Sequence, residues 1–360
     1  MKDFLLAKTP YYYYGLLNEP AKQQYRRFLS ALYVNQREIK ANPTLSNEEL
    51  YKIYDFISRD RPDLFWLSNR CSLRRSGSVT GEVVFLPKYR FNKEETLSVV
   101  TRIKNSVFFR ELDRLLSEKQ SDFEKALAAY EYIVKHADYA MEELHARPSP
   151  ESIYLLDGIP LKGRAVCAGY AKTFQYFLVR HGVRCHFVTG KTKNSHDGMG
   201  HAWTQVCLDG DYYYVDPTWG DPVFSGTGPK DPSFISYAHF CVTDAMLAQS
   251  HAPVFDYKMP ACTATKYNYF RYFNLLSKSY SPQTVYTQLK NALQKNQDTL
   301  TLIYETDEEY QRALRSLTKE GDLCNLAKRL KGEGFPFPSR IAWSYCDAER
   351  RLEIKLKEPR

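Results

Sequence analysis

The segment from Gly163 to Pro222 constrains the fold more than any other part of this 360-residue chain. Within it, Cys167 stands at the start of a pattern in which apolar residues recur at three- and four-residue steps, as on one face of a helix. Gly182 predicts the end of that helix, because glycine is common just past a last helical turn. The sequence therefore predicts Cys167 in the first turn of a helix of about four turns.

Two strands joined by a tight turn are predicted after this helix. Residues 201–208 and 212–215 are rich in β-branched and aromatic side chains, and Asp209-Gly210 between them is a strong two-residue hairpin signal. This turn aligns the strands so that Asp216 lies two positions from the direct partner of His201. Both side chains then point to the same face of the sheet, and the spacing predicts that they meet.

Cys167, His201 and Asp216 follow one another in the order nucleophile, base and residue that orients the base. The free backbone N–H groups and the dipole of the predicted helix favour a thiolate at Cys167 and are suited to hold an oxyanion. A lone buried cysteine is commonly a small hydrophobe, and a lone strand histidine is more often structural than catalytic. Only the three residues together, in this order and geometry, predict thiol-based acyl transfer.

The motifs around these residues resemble the transglutaminase-like superfamily, the group of papain-like folds that holds transglutaminases, bacterial homologues and related peptidases. The matching motifs are V-C-A-G-Y-A at 166–171, G-H-A-W at 200–203 and Y-Y-V-D-P-T-W-G-D-P at 213–222. Residues 235–244 and Ser250-His251 are similar to the downstream segment of bacterial members. The resemblance covers roughly residues 116–260 and does not extend to the flanks.

This resemblance implies an α+β fold with a papain-like core, in which a helix carrying Cys167 packs on an antiparallel sheet carrying His201 and Asp216. It implies Cys167 as the nucleophile, His201 as general base and acid, and Asp216 as the residue that orients His201. No cofactor and no metal ion is expected to take part.

Five residues near the predicted triad are candidates for substrate binding. Small residues after the cysteine leave room for a substrate, a polar Gly-rich loop over 191–200 carries a histidine, and two tryptophans are candidate walls that exclude water or stack on substrate. The alternatives are a surface histidine and ordinary core packing of the tryptophans. The candidates are Gly169, Tyr170, His196, Trp203 and Trp219.

The predicted function is cysteine-dependent acyl transfer on a protein or peptide substrate, with hydrolysis by a peptidase or amidase favoured. Water as acceptor is favoured because no acidic cluster is placed like a calcium loop, which argues against calcium-activated crosslinking. A protein-glutamine transglutaminase with an amine acceptor stays an alternative. A catalytically idle peptide-binding or scaffolding module is the other alternative, against which the intact triad argues.

Composition and charge limit which binding partners and which cellular compartment are expected for this chain. The net charge of +8 is dispersed, and the chain carries no nucleic-acid-binding signature. No apolar run approaches the length of a membrane span, and the amino terminus lacks the apolar core of a signal peptide. The eight cysteines form no C-x-x-C pair, as expected for reduced thiols. A cytoplasmic protein is predicted, a secreted protein without its signal peptide being the alternative.

Length predicts more than one domain. We expect an N-terminal α+β region of unknown role over 1–115, the catalytic core over 116–260 and a small C-terminal α/β module over 261–360. Helices are predicted, among others, over 20–42, 45–58, 121–135 and 282–295.

Overall fold

The computed structural model describes residues 4–6, 12–76, 81–193, 200–220, 235–254, 257–297, 299–347 and 350–357. The chain divides into two compact units, Met1–Tyr267 and Asn268–Arg360. The three-part division expected from the sequence remains a prediction of domain organisation.

In the described part of residues 12–117, helices accompany an antiparallel sheet of order β1-β3-β2. The elements are α1 (Tyr12–Gly15), α2 (Glu19–Leu32), β1 (Ile39–Ala41), α3 (Asn47–Asp60), β2 (Leu67–Arg75), β3 (Val83–Tyr89), α4 (Lys93–Asn105) and α5 (Val107–Ser117). Helix α3, predicted over 45–58, begins with a capping box in which Ser46 and Glu49 satisfy each other's backbone N–H groups.

The helix predicted over 20–42 is wrong in its second half. Helix α2 ends at Leu32, and Asn35 follows in the left-handed region with φ 55°, a conformation that a right-handed helix cannot continue through. The chain then pairs with β3 through β1.

The rest of the first unit surrounds a sheet of order β10-β6-β7-β8-β9, in which every neighbouring pair is antiparallel. The elements are α6 (Asp122–His136), β4 (Asp138–Tyr139), α7 (Met141–His145), the 3₁₀ turn η1 (Glu151–Tyr154), α8 (Gly158–Lys162), β5 (Arg164–Ala165), α9 (Cys167–Arg180), β6 (Cys185–Thr192), β7 (Gly200–Leu208), β8 (Asp211–Val215), β9 (Phe240–Val242), α10 (Asp244–Leu247) and β10 (His251–Pro253).

Helix α9 packs on this sheet. Its Ala171 contacts Phe187 of β6 and Ala202 of β7, and the helix is buried along most of its length. The predicted α+β arrangement, a helix that begins at Cys167 packed on an antiparallel sheet, is confirmed.

The second unit has its own apolar core. The elements are α11 (Tyr269–Tyr272), β11 (Leu276–Ser277), α12 (Pro282–Gln294), β12 (Thr299–Tyr304), α13 (Asp307–Thr318), α14 (Asp322–Gly332), β13 (Trp343–Cys346) and β14 (Arg351–Lys355). Leu289, Tyr310, Leu330 and Leu352 meet in this core, each with 0% of its surface exposed. The helix predicted over 282–295 is confirmed to within one residue.

A search of the described residues finds no helix long and apolar enough to cross a membrane.

Candidate active site

Short backbone pairings fix the start of α9 and with it Cys167. Gly163 turns the chain with φ +67°, after which β5 pairs in parallel with β4. The N–H of Val166 then donates to the carbonyl of Ile153 at 2.9 Å, which ties the residue before the cysteine to η1. Cys167 is partly exposed in the first turn of the helix, as the sequence predicts.

The hairpin between β7 and β8 has the predicted turn. Asp209 and Gly210 both adopt positive φ, 52° and 91°, as a two-residue type I′ turn requires. Leu208 pairs with Asp211, and the register continues to Thr204 and Val215. Strand β8 ends at Val215, so Asp216 follows just beyond the ladder, where its backbone N–H donates to the carbonyl of His239 at 2.9 Å.

His201 lies between the other two members of the predicted triad. Its Nε2 is 2.7 Å from Oδ2 of Asp216, and its ring is close enough to Cys167 for the two side chains to interact electrostatically. Because Nε2 faces Asp216, Nδ1 is the nitrogen available to the thiol. Burial acts to lower the pKa of His201, but the charge of Asp216, the hydrogen bond with Asp216 and the interaction with Cys167 outweigh it and raise the pKa to about 10.

Asp216 is a fully buried carboxylate that accepts four hydrogen bonds. Its Oδ1 accepts from the backbone N–H groups of Thr218 at 2.8 Å and Trp219 at 3.3 Å. Its Oδ2 receives His201 and, at 3.1 Å, Nε2 of His251. Burial acts to raise the pKa of Asp216, but the two histidines outweigh it and hold the pKa well below its usual range.

A second line of polar side chains continues from Asp216. Since the carboxylate is ionised, His251 donates to it through Nε2, and its Nδ1 is 2.7 Å from Oγ of Ser250. That hydroxyl also contacts Nε2 of His239 at 3.0 Å. Burial lowers the pKa of His239 to about 4, which keeps this ring neutral. The network therefore gives Asp216 a second histidine partner besides His201.

His201, Asp216 and His251 also form the one group of metal-ligating side chains found in the described part of the chain. Nε2 of His201 lies 2.7 Å and Nε2 of His251 lies 3.1 Å from Oδ2 of Asp216, and both distances are those of hydrogen bonds. We therefore interpret the group as a hydrogen-bonded network.

The candidate substrate-binding residues occupy different environments. Gly169 and Tyr170 are buried in α9, and Trp203 has 0% of its surface exposed, with its ring 5.8 Å from that of His201. Trp219 is partly exposed, 6.1 Å from the His201 ring and 4.4 Å from the His251 ring. His196 lies outside the described residues. Substrate contact by these five residues stays a prediction.

The sequence assigns no role to three residues that the structure brings to this site. The hydroxyl of Tyr139 lies near the backbone N–H of Cys167, the group expected to hold an oxyanion. His239 and His251 support Asp216 as described. The signal in the sequence for His239 and His251 is the similarity of residues 235–244 and of Ser250-His251 to bacterial members.

Residues 111–217 match the sequence model of the transglutaminase-like superfamily. This range includes Cys167, His201 and Asp216, and this part of the chain is a transglutaminase-like domain. The match supports a cysteine-dependent enzyme in general terms.

Among curated proteins, the chain is similar to the kyphoscoliosis peptidase of Mus musculus, with 29% identity over 147 residues, and to that of Homo sapiens, with 27% identity over 147 residues. Each match spans 39% of this chain and 22% of the relative. Among solved structures, a crystal structure of a TGase aligns with a TM-score of 0.29 and 16% identity, covering 53% of this chain and 52% of that one.

Proposed function

We propose that this protein is a cysteine peptidase or amidase that uses Cys167, His201 and Asp216 as its catalytic triad. The observation that carries the proposal is the position of the His201 ring, which faces the thiol of Cys167 on one side and the buried carboxylate of Asp216 on the other. The peptidase names of the two curated relatives agree with hydrolysis.

The chemistry proceeds in two halves. In the first, the sulfur of Cys167 attacks the carbonyl carbon of an amide, the C–N bond breaks, and His201 gives its proton to the departing amine. In the second, neutral His201 takes a proton from water as the water oxygen attacks the thioester, which releases the acid and restores the cysteine. The raised pKa of His201, about 10, means that the resting ring carries the proton needed in the first half.

Asp216 keeps the imidazole in place throughout. It accepts from Nε2 of His201, so the ring presents Nδ1 to the sulfur, and it stabilises the imidazolium. The donors from Thr218, Trp219 and His251 saturate the carboxylate, which discourages proton transfer to it.

Turnover of a peptide library, with and without an added primary amine, tests the proposal. We expect the wild type to release new amino termini, Cys167→Ala to lose at least about a thousandfold in rate, and Cys324→Ser, which removes an exposed thiol, to behave as the wild type. Products that carry the amine in place of a free acid would identify a transglutaminase instead. Unchanged turnover by Cys167→Ala would overturn the cysteine mechanism itself.

A further inference from the structure

A cavity of about 410 Å³ opens next to the proposed nucleophile. It lies within the first unit and is lined by α3, β2 and the residues between them, together with η1, α9 and β6. Ala168, the residue after Cys167, forms part of its wall. A volume of this size lies in the range of sites that enclose small ligands or side chains.

The walls of the cavity are mainly apolar and aromatic. Tyr54, Leu67, Leu155 and Phe187 are among the side chains that line it. Such walls suit the aliphatic part of a substrate side chain, and selectivity in such sites comes from the few polar groups placed among them.

Three of the charged residues that line the cavity already have a counter-ion. Asp55 pairs with Arg59 at 2.6 Å and Arg61 with Asp63 at 2.5 Å. Glu151 lies 3.9 Å from Arg90, which also binds Asp157 at 2.9 Å, and accepts a hydrogen bond from Ser68 at 3.0 Å. Each of these groups therefore has an opposite charge beside it within the protein.

Lys172 is the exception. Only 8% of this residue is exposed, and no carboxylate oxygen in the described part of the chain lies within 4.0 Å of its Nζ. Its one hydrogen-bond partner among those residues is Oγ of Ser58 at 3.3 Å, and the amine lies 5.4 Å from the centre of the Phe187 ring. A lysine ammonium has three donors, so two remain for a ligand. An ammonium this deeply buried without an anion is costly.

The helix relates this amine to the nucleophile. Ala168 and Lys172 are four residues apart and share the face of α9 that borders the cavity, while Cys167 lies one residue before Ala168. A peptide bound at Cys167 would therefore have a neighbouring group within reach of the cavity.

We propose that this cavity is a specificity pocket for a carboxylate of the peptide substrate, bound by the ammonium group of Lys172 with its aliphatic part against the apolar walls. This inference rests on the proposed function and defines its substrate class: peptides with an acidic side chain, or a terminal carboxylate, beside the cleaved bond. Burial lowers the pKa of Lys172 to about 8. The charges of Arg59 and Arg90 act in the same direction, whereas the charge of Asp55 opposes them. A bound carboxylate would raise the pKa again.

The test uses three sets of hexapeptides with an acetylated amino terminus. The first two sets have an amidated carboxyl terminus and carry, at each position in turn, Glu in one set and Gln in the other. The third set has Gln and a free carboxyl terminus. We expect wild-type kcat/KM to favour a carboxylate over its amide by about tenfold or more at one position, the effect of one hydrogen bond to a charged group. Lys172→Met, which keeps the stem and removes the charge, should reduce this ratio to less than about twofold. Lys135→Met, a change of an exposed lysine on α6, should leave it unchanged.

Binding of the same peptides to Cys167→Ala, measured by calorimetry, separates this inference from the proposed function. A preference for the carboxylate that disappears in Cys167→Ala/Lys172→Met supports the pocket even if the wild type cleaves nothing, in which case the proposed function alone fails. A preference in the third set alone also supports the pocket and assigns it to a carboxyl terminus. The pocket is overturned if the wild type shows no preference in turnover or binding, or if Lys172→Met keeps it.

Discussion

The His201–Asp216 pair couples the stability of the protein to pH. The pKa of His201 is raised from about 6.5 to about 10 on folding, so its stabilising contribution is complete below about pH 6.5 and is lost as the pH rises towards 10. The pKa of Asp216 is lowered on folding, so its contribution is present above about pH 4 and is lost as the pH falls further.

Asp216→Asn should therefore reduce the free energy of unfolding most between about pH 4 and pH 6.5, by about 3 kcal/mol, the usual cost of breaking a buried ion pair. Urea denaturation at a series of pH values measures the difference from the wild type. Asp209→Asn, which changes an exposed turn residue paired with Lys266, should cost less than about 1 kcal/mol at every pH. A difference for Asp216→Asn that does not vary between pH 4 and pH 10 would show that the charge pair is absent.

Cys167 should be the most reactive thiol of the described part of the chain. It is partly exposed at the start of α9 and lies beside His201, the base proposed to activate it. Burial raises the pKa of several other thiols, to about 11 for Cys71 and to about 12 for Cys262, and above the usual value for Cys185 and Cys241.

Iodoacetamide at pH 7 should label Cys167 about tenfold faster or more than Cys324, the exposed reference thiol, with the sites resolved by mass spectrometry. In His201→Ala this advantage should disappear. If Cys324 reacts first in the wild type, accessibility alone sets the order and Cys167 is not activated.

At the scale of single residues, the sequence predicts which three side chains come together better than it predicts the residues around them. Cys167, His201 and Asp216 can be found because a helix start and a hairpin register constrain where they lie. His251 and Lys172 depend on contacts between segments that are distant in sequence, namely β10 with Asp216 and α9 with α3. The only feature of the sequence that marks Lys172 is its charge, which stands within the mostly apolar pattern of α9.

Among the elements, α9 positions the cysteine through its close packing on η1. A Cβ at Gly169 would lie 2.5 Å from the carbonyl oxygen of Ile153 and 2.6 Å from the Cβ of Ala165, both too close for real contacts. From the sequence, Gly169 is a candidate for substrate access. In the structure it has a packing reason, because only glycine lets the helix approach η1 so closely.

Gly169→Ala should destabilise the protein by about 1–3 kcal/mol, the usual cost of overpacking, and slow the alkylation of Cys167 by displacing the first turn of α9. Thermal unfolding and the iodoacetamide rate measure the two effects. Gly15→Ala serves as the control, since a Cβ there meets nothing within 4 Å, and should change the stability by less than about 0.5 kcal/mol. Equal behaviour of the two variants would mean that α9 can shift without cost.

The hairpin shows why some elements can be predicted to the residue. Asp209-Gly210 fixes the turn type, and the turn fixes which residues face each other, so the predicted pairing of 208 with 211 is confirmed. Helix α2 is followed by a weaker signal, Asn35 in the left-handed region, a position that glycine takes more often than asparagine. Strand β1, which comes next, pairs with β3 more than forty positions away, so no local pattern predicts it and the predicted helix runs too far.

For the molecule as a whole, the arrangement of cores is harder to predict than the elements. Residues just after position 261 pack on the first unit: Tyr267 stacks on Phe123 at 4.9 Å, and Gln205 donates to the sulfur of Cys262 at 3.1 Å. These contacts join residues that are far apart in the sequence, so no local sequence pattern predicts them. The second unit assembles its core from residues 280–356.

Separate cores predict separate unfolding. Leu352→Ala should cost about 2–5 kcal/mol in the second unit, because it leaves a cavity in a core where this residue is 0% exposed. Leu178→Ala, at an equally buried position of α9, should cost a similar amount in the first unit. Calorimetry of the full chain should then resolve two transitions, of which each variant lowers only one. The rate of Cys167 alkylation, followed during heating, identifies the first unit's transition. A single transition that both variants shift equally would mean that the two units unfold as one cooperative body.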